Sequence, residues 1–101
     1  MERKILSLLG LCQRAGKLVS GELSCITAIR NKSAKLIILA NDASENTVKK
    51  FSDKTCYYNI KLCRISTKFE IGKALGKKER TVVAITDKGF AEEVLKILNI
   101  Q

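Results

Sequence analysis

Residues 64–68, Arg-Ile-Ser-Thr-Lys, combine two cations, one aliphatic side chain and two hydroxyls. Such side chains suit RNA, because cations neutralise phosphates, hydroxyls reach sugars or base edges, and an apolar group supports an unstacked base. Residues 20–24, Ser-Gly-Glu-Leu-Ser, open a predicted helix, and the free backbone amides at a helix start suit an anion or a guanine edge. Alternatively, both segments are ordinary connections that carry helix caps.

Residues for catalysis are sparse. The chain has no histidine, which is the commonest general base and the commonest partner of a nucleophile. A segment that begins at Gly10 looks like a phosphate-binding loop, but it has one residue too many before Gly16 and has Leu18 where a Ser or Thr is needed. Asp42 and Asp87 are explained as loop or cap residues. We therefore predict no enzymatic activity, no cofactor and no small-molecule substrate.

The four cysteines, at positions 12, 25, 56 and 63, do not have the spacing of a zinc site. No two of them form a Cys-x-x-Cys pair, and no histidine could complete a ligand set. Cys12, Cys25 and Cys63 fall on the apolar faces of their predicted elements. These three are expected to be reduced thiols in the core, and no metal site is predicted.

The net charge is the strongest feature of the composition: 19 Lys and Arg stand against 10 Asp and Glu, a formal charge of +9. Acidic residues are also unevenly placed, since only Glu22 lies between Glu2 and Asp42, and residues 54–68 contain none. Such an excess on a small domain favours a polyanion as partner, bound through phosphate contacts and counterion release. The alternative is a basic surface that only keeps the protein in solution.

The length of 101 residues predicts a single domain, residues 1–101, with one core that needs neither metal nor disulfide. No apolar run approaches the roughly 18 residues that a membrane span requires. The start at Met1 passes directly into a helical pattern, and no small-residue cleavage site follows, so a signal peptide is not expected. We expect a cytoplasmic monomer that does not contact membranes.

Residues 36–40 form an unbroken apolar run of strand length. A half-exposed strand would alternate apolar and polar residues, so this run predicts a strand covered by helices on both faces. The run stops at Asn41 and Asp42, and Ser44 can cap a following helix. Open α/β sheets place binding sites at such carboxyl ends of strands.

Strand and helix patterns alternate along the rest of the chain. Thr67 and Asp87 are predicted helix caps, and Gly76 is predicted to end a helix. The predicted class is α/β: a three-layer α-β-α sandwich around a small, mixed and largely parallel sheet of about four strands. The expected strands lie within residues 18–20, 36–40, 57–65 and 81–86, and the expected helices cover about 5–12, 21–31, 44–53, 67–76 and 87–98.

Four segments resemble, in order and spacing, the archaeal and eukaryotic ribosomal protein family L-seven-Ae, whose superfamily includes ribosomal protein L-thirty-e. They are Arg-Ala-Gly-Lys-Leu-Val-Ser-Gly at 14–21, Ala-Lys-Leu-Ile-Ile-Leu-Ala-Asn-Asp at 34–42, Ser-Thr-Lys-Phe-Glu-Ile-Gly-Lys-Ala-Leu-Gly at 66–76, and Val-Val-Ala-Ile at 82–85. The resemblance covers about residues 14–98 and is closest to short bacterial members. It implies an α-β-α sandwich that binds kink-turn RNA, a sharply bent duplex with sheared G·A pairs and one flipped nucleotide.

The resemblance also implies residue roles. In the family, the start of the second helix reads the sheared pairs through Gly-x-Asn-Glu-x-x-Lys, and the loop before the fourth helix holds the flipped base. The loop corresponds to residues 64–67, and Asn41-Asp42 matches a further contact loop. Of the first motif only Gly21 is kept, because the Asn, Glu and Lys positions are occupied by Leu23, Ser24 and Thr27.

We therefore predict a non-enzymatic, ribosome-associated protein that binds ribosomal RNA at a kink-turn or a similar bend. The alternative is a protein-interaction module that kept the fold and lost specific RNA reading. The net charge favours the first function, and the loss of the Asn-Glu-Lys set favours the second. The residues expected to contact RNA are Arg14, Lys17, Ser20, Gly21, Glu22, Leu23, Ser24, Thr27, Arg30, Lys35, Asn41, Asp42, Arg64, Ile65, Ser66, Thr67 and Lys68.

Overall fold

The computed structural model describes residues 2–100, so Met1 and Gln101, which the predicted domain includes, lie outside the described residues. Within this range, helices and strands alternate as the sequence predicts. In chain order they are α1 (Glu2–Arg14), β1 (Leu18–Ser20), α2 (Glu22–Arg30), β2 (Leu36–Leu39), α3 (Glu45–Tyr58), β3 (Lys61–Arg64), α4 (Lys68–Ala74), β4 (Val82–Ile85) and α5 (Lys88–Ile97).

The four strands of the described chain form one mixed sheet in the order β1-β4-β2-β3. Strand β4 is antiparallel to both β1 and β2, and only β2 and β3 are parallel. The predicted mixed sheet is confirmed, but the prediction that it is largely parallel is wrong. The reason is that the chain returns to the start of α4 before β4 begins: the Arg80 amide donates to the Lys68 carbonyl at 3.0 Å. Strand β4 therefore starts at the edge where β3 ends.

Strand β2 shows why the sandwich has three layers. All four of its residues are completely buried, and they alternate between two cores. Leu36 and Ile38 face the core beneath α1, α4 and α5, whereas Ile37 and Leu39 face the core beneath α2 and α3. The predicted α-β-α sandwich is thus confirmed, with helices on both sides of a strand that has no solvent-facing side.

Three predicted caps are present. Ser44, Thr67 and Asp87 each accept a hydrogen bond from the backbone amide three residues later, at 3.2, 3.1 and 2.9 Å respectively. Helix α3 is longer than predicted and includes Tyr57 and Tyr58 at its end. It stops at Asn59, which takes a left-handed conformation with φ 57°.

The cysteines lie where the sequence predicts them. Cys12, Cys25 and Cys63 are buried, Cys56 is exposed, and all four are free thiols. Burial raises the pKa of Cys12 to about 11 and that of Cys25 to about 12. Among residues 2–100, no group of side chains is arranged to hold a metal ion. No helix in that range is long and apolar enough to cross a membrane.

The differences in burial among the four cysteines predict how many thiols react in the native protein. In the native protein a water-soluble disulfide reagent should modify Cys56 rapidly and leave the buried thiols unmodified, because reaction requires an accessible thiolate. Denaturant should expose all four. Measuring the released chromophore gives the count directly, and Cys56→Ser should abolish the fast phase. A fast phase that survives this substitution would contradict the burial of the other three.

Candidate nucleic-acid interface

The carboxyl ends of β1, β2 and β3 lie at one edge of the sheet, here called the carboxyl edge. Ser20 pairs with Val83, and Leu39 pairs with both Val82 and Arg64. Because β4 runs the opposite way, its first residue lies at this edge too. Four connections therefore meet there: β1–α2, β2–α3, β3–α4 and α4–β4.

Hydrogen bonds join the β2–α3 connection to the β3–α4 connection. The Asn41 amide donates to the Ser66 carbonyl at 2.8 Å, and the Lys68 amide donates to the Asp42 carboxylate at 2.9 Å. The Arg64 guanidinium donates to the Asn41 carbonyl at 2.9 Å. Two segments that the sequence predicts to be functional are thus held against each other.

Arg80, which is not among the residues predicted from the sequence, joins the other two connections. Its Nε donates to the Ser20 hydroxyl at 3.0 Å, and its backbone amide bonds to Lys68. The guanidinium is also held by the Glu79 carbonyl at 3.0 Å. The run of basic residues after Gly76 is the one sequence signal near Arg80. The contact between Arg80 and Ser20 joins residues 60 positions apart, so it leaves no local pattern in the sequence.

The β3–α4 connection presents less side chain to solvent than the sequence suggested. Ile65 is only 4% exposed and belongs to the core beneath α1, α4 and α5. Ser66 is equally buried, has φ 60°, and its hydroxyl has no hydrogen-bond partner among the described residues. Thr67 caps α4. The surface of this connection is therefore formed by Arg64, Thr67 and backbone.

The start of α2 presents an outward face. Gly21, with φ 95°, precedes the helix, and its amide donates to the Val82 carbonyl at 3.0 Å. Leu23 is 81% exposed, and Ser24 and Thr27 are exposed as well. These three residues line one groove on the outside of the helix. The three positions to which the resemblance assigns base reading thus lie together on the surface, and none of them is part of the core.

Glu22 points away from that face and towards α3. Lys50 Nζ lies 2.9 Å from one carboxylate oxygen, and the Thr47 hydroxyl donates to the other at 3.2 Å. The bond from Lys50, followed by that from Thr47, lowers the pKa of Glu22 below its ordinary value. The carboxylate is thus already partnered within the protein.

The remaining predicted cations are not brought to the carboxyl edge. The Lys17 carbonyl accepts a bond from Thr86, and the Lys35 amide donates to Ile85, so both lie at the opposite, amino edge of the sheet. Arg30 ends α2, which runs back from Gly21 towards that amino edge. The side chain of Arg14 lines a groove between α1 and α4 instead. The positive charge is spread over several faces.

Comparison with known proteins gives a consistent result. The family-wide sequence pattern of the ribosomal protein L7Ae/L30e/S12e/Gadd45 family matches residues 3–95 of this chain. The chain is 47% identical over 92 residues to a Bacillus subtilis (strain 168) protein named RNA-binding protein YlxQ, covering 91% of this chain and 92% of that protein. The predicted resemblance to short bacterial members of this superfamily is thereby confirmed.

Two solved structures have the same fold. A protein with unknown function from Bacillus halodurans C superimposes with a TM-score of 0.91 at 38% identity, covering 95% of this chain and 97% of that one. The Giardia lamblia 15.5kD RNA binding protein superimposes with a TM-score of 0.77 at 17% identity, covering 93% and 81% respectively. The second similarity concerns the fold alone.

The conformation of Ser66 predicts an unusual stability ranking. A residue other than glycine at positive φ is strained, so Ser66→Gly should be more stable than Ser66→Ala by about 1 kcal/mol. Ser52, exposed within α3, is the control, because there the glycine variant should be the less stable by about 1 kcal/mol. Urea denaturation of the four variants measures both differences. The same sign at the two positions would contradict the strain at Ser66.

The lowered pKa of Glu22 predicts a dependence on pH. A depressed folded-state pKa contributes stability above the unfolded value, near 4.5, that is lost as the pH falls. Between about pH 5 and about pH 3, Glu22→Gln should therefore lose less free energy of unfolding than the wild type. Glu92→Gln, on the exposed side of α5, controls for the charge change. Equal acid sensitivity in all three proteins would show that the contact with Lys50 does not stabilise the fold.

Proposed function

The chain belongs to the ribosomal protein L7Ae/L30e/S12e/Gadd45 family, and on that premise we propose that it is a non-enzymatic RNA-binding protein whose carboxyl edge recognises a kink-turn or a similarly bent RNA. The formal charge of +9 supports a polyanionic partner. We further propose that the RNA is ribosomal and that the protein acts in the cytoplasm.

This proposal rests on one observation: hydrogen bonds hold four separate connections together at the carboxyl edge. Arg80 links Ser20 to Lys68, and Lys68 in turn is bonded to Asp42. A bent RNA presents two helical arms and an unstacked nucleotide within a small volume, so a protein that recognises the bend needs several fixed contacts that are close together. The carboxyl edge supplies such contacts on rigid elements.

The α2 face and the β3–α4 connection have separate roles in this proposal. Ser24 and Thr27 offer hydroxyls to base edges or sugars, and the exposed Leu23 packs against an apolar face of the RNA. At the β3–α4 connection the flipped nucleotide contacts backbone and Thr67, since the Ile65 side chain faces the core. Arg64 and Lys68 contact neighbouring phosphates.

The cations away from the carboxyl edge contribute to affinity without reading the bend. Lys17, Arg30 and Lys35 are exposed, as is Arg14 in its groove. Contacts from such residues to flanking duplex release counterions, so the logarithm of affinity falls linearly with the logarithm of salt concentration. If the affinity does not change with salt concentration, these cations do not contribute to RNA binding through phosphate contacts.

A second candidate function is a protein-interaction module. The exposure of Leu23 supports it, because a large apolar side chain that is 81% exposed also suits a protein surface. Under this alternative, the wild-type protein would bind neither bent nor straight RNA in a salt-dependent way.

Restoring the family readers tests the proposal. The triple substitution Leu23→Asn, Ser24→Glu and Thr27→Lys places a carboxylate, an amide and a cation on an exposed face, so the fold should tolerate it. Since a good base contact discriminates by about 1–3 kcal/mol, the preference for kink-turn over straight duplex of equal length should rise at least about tenfold. Fluorescence anisotropy with both RNAs measures the preference.

A matched control carries the same charge change on α3. Asn46→Lys with Ser52→Glu, both at exposed positions, should leave the preference unchanged. Circular dichroism establishes that each variant is folded. A folded triple variant with the wild-type preference would mean that the α2 face does not contact the bend, and the kink-turn proposal would have to be given up.

A further inference from the structure

A groove lies between α4 and the connection that follows it. Its volume is about 810 Å³, and it is lined by Phe69, Lys73, Gly76, Lys77, Lys78 and Glu79. Phe69 is 60% exposed, whereas Phe51 is completely buried and Phe90 packs against the core. An aromatic ring left on the surface among lysines suggests a binding role for this groove, here called the Phe69 groove.

The connection that forms one wall of the groove is fixed tightly to α4. The Lys77 amide donates to the Gly72 carbonyl at 2.9 Å. A Cβ atom on Gly72 would overlap the Lys78 carbonyl and lie 3.0 Å from the Glu79 Cα, so the two backbones are in direct contact. Because this wall is held by backbone contacts, the backbone that carries Lys77 and Lys78 is fixed against α4, and both residues line the same groove as Phe69.

The Phe69 groove adjoins the carboxyl edge along the chain, because its lining residues Phe69 and Glu79 are the sequence neighbours of Lys68 and Arg80. Phe69 directly follows Lys68, whose carbonyl accepts the bond from the Arg80 amide. The Arg80 side chain meanwhile reaches across to Ser20. A strand of RNA that leaves a bend bound at the carboxyl edge therefore has a short path into the groove.

We propose that the Phe69 ring is a stacking platform for an unpaired RNA base next to the bend, with Lys73, Lys77 and Lys78 on the flanking phosphates. This inference rests on the proposed RNA-binding function and adds a single-stranded subsite to it. Aromatic rings bind successive bases without sequence preference, because every base has a π-face. The ring supplies the stacking contact, and the lysines supply the electrostatic attraction.

The charges in the groove favour RNA over a protein or a second copy of this chain. Among the described lining residues, three lysines stand against the single carboxylate of Glu79. A second copy would bring the same excess of positive charge into contact with itself. A nucleic acid strand places one phosphate beside every base, which matches an aromatic ring surrounded by amines.

The test compares two RNAs that share a bent duplex and differ in one unpaired extension of about four nucleotides. The wild-type protein should bind the extended RNA about 5-fold or more tightly than the blunt one, and Phe69→Ala should remove that gain and leave blunt-RNA affinity unchanged. Phe69→Tyr should retain it. The control is Tyr57→Ala, which removes another exposed aromatic ring, on α3, and should change neither affinity.

A fluorescent adenine analogue in the extension reports stacking separately from affinity. Its emission should be quenched by the wild-type protein and by Phe69→Tyr, but not by Phe69→Leu, which keeps an apolar side chain without a π-face. Lys77→Gln with Lys78→Gln should reduce the salt dependence for extended RNA by about 0.7 in slope per lost phosphate contact. The slope for blunt RNA should stay the same.

The outcomes separate this inference from the proposed function. If the wild type binds the bent duplex but gains nothing from the extension, the Phe69 subsite is wrong and the RNA-binding proposal stands. Equal gains in the wild type and Phe69→Ala would also overturn the subsite. If neither RNA binds, both proposals fail together, and the exposed ring would belong to a protein interface.

Discussion

The antiparallel insertion of β4 between β1 and β2 is the constraint on which the rest of the molecule depends. Strand β4 is the neighbour of both strands, and every one of its residues is completely buried, so it closes the cores on both faces of the sheet. The α4–β4 connection sets its direction by returning to the start of α4, where Arg80 bonds to Lys68. The same return brings a fourth connection to the carboxyl edge. The α4–β4 connection therefore both positions a core strand and forms part of the candidate interface.

Much of the fold could be predicted because its signals are local. The apolar run of β2 indicates burial on both faces, and Ser44 and Asp87 mark helix starts through contacts only three residues long. The direction of β4 could not be predicted in this way. It depends on a backbone bond between residues 68 and 80 and on a side-chain bond from Arg80 to Ser20, and such contacts between distant segments leave no periodicity in the sequence.

The candidate site was predicted less completely than the fold, as Ile65 and Leu23 illustrate. Ile65 stands beside polar residues in the sequence, but its alternation with Cys63 places it on the core face of the chain. Leu23 is apolar yet exposed, because the helical phase turns Cys25 and Ile29 towards the sheet and leaves Leu23 outside. Composition gave the net charge correctly but carried no information on its distribution between the two edges of the sheet.

The contact between Glu22 and Lys50 has a consequence for the rate of association. Glu22 is the one carboxylate between Glu2 and Asp42, and it stands in the first turn of the helix that faces the proposed ligand. Lys50 Nζ holds it at 2.9 Å on the α3 side, so an approaching polyanion meets a neutral pair. Electrostatic steering at long range is then governed by the surrounding lysines and arginines. For the proposed RNA partner, this ion pair therefore adds no net repulsion at the start of α2, and the attraction comes from the surrounding cations.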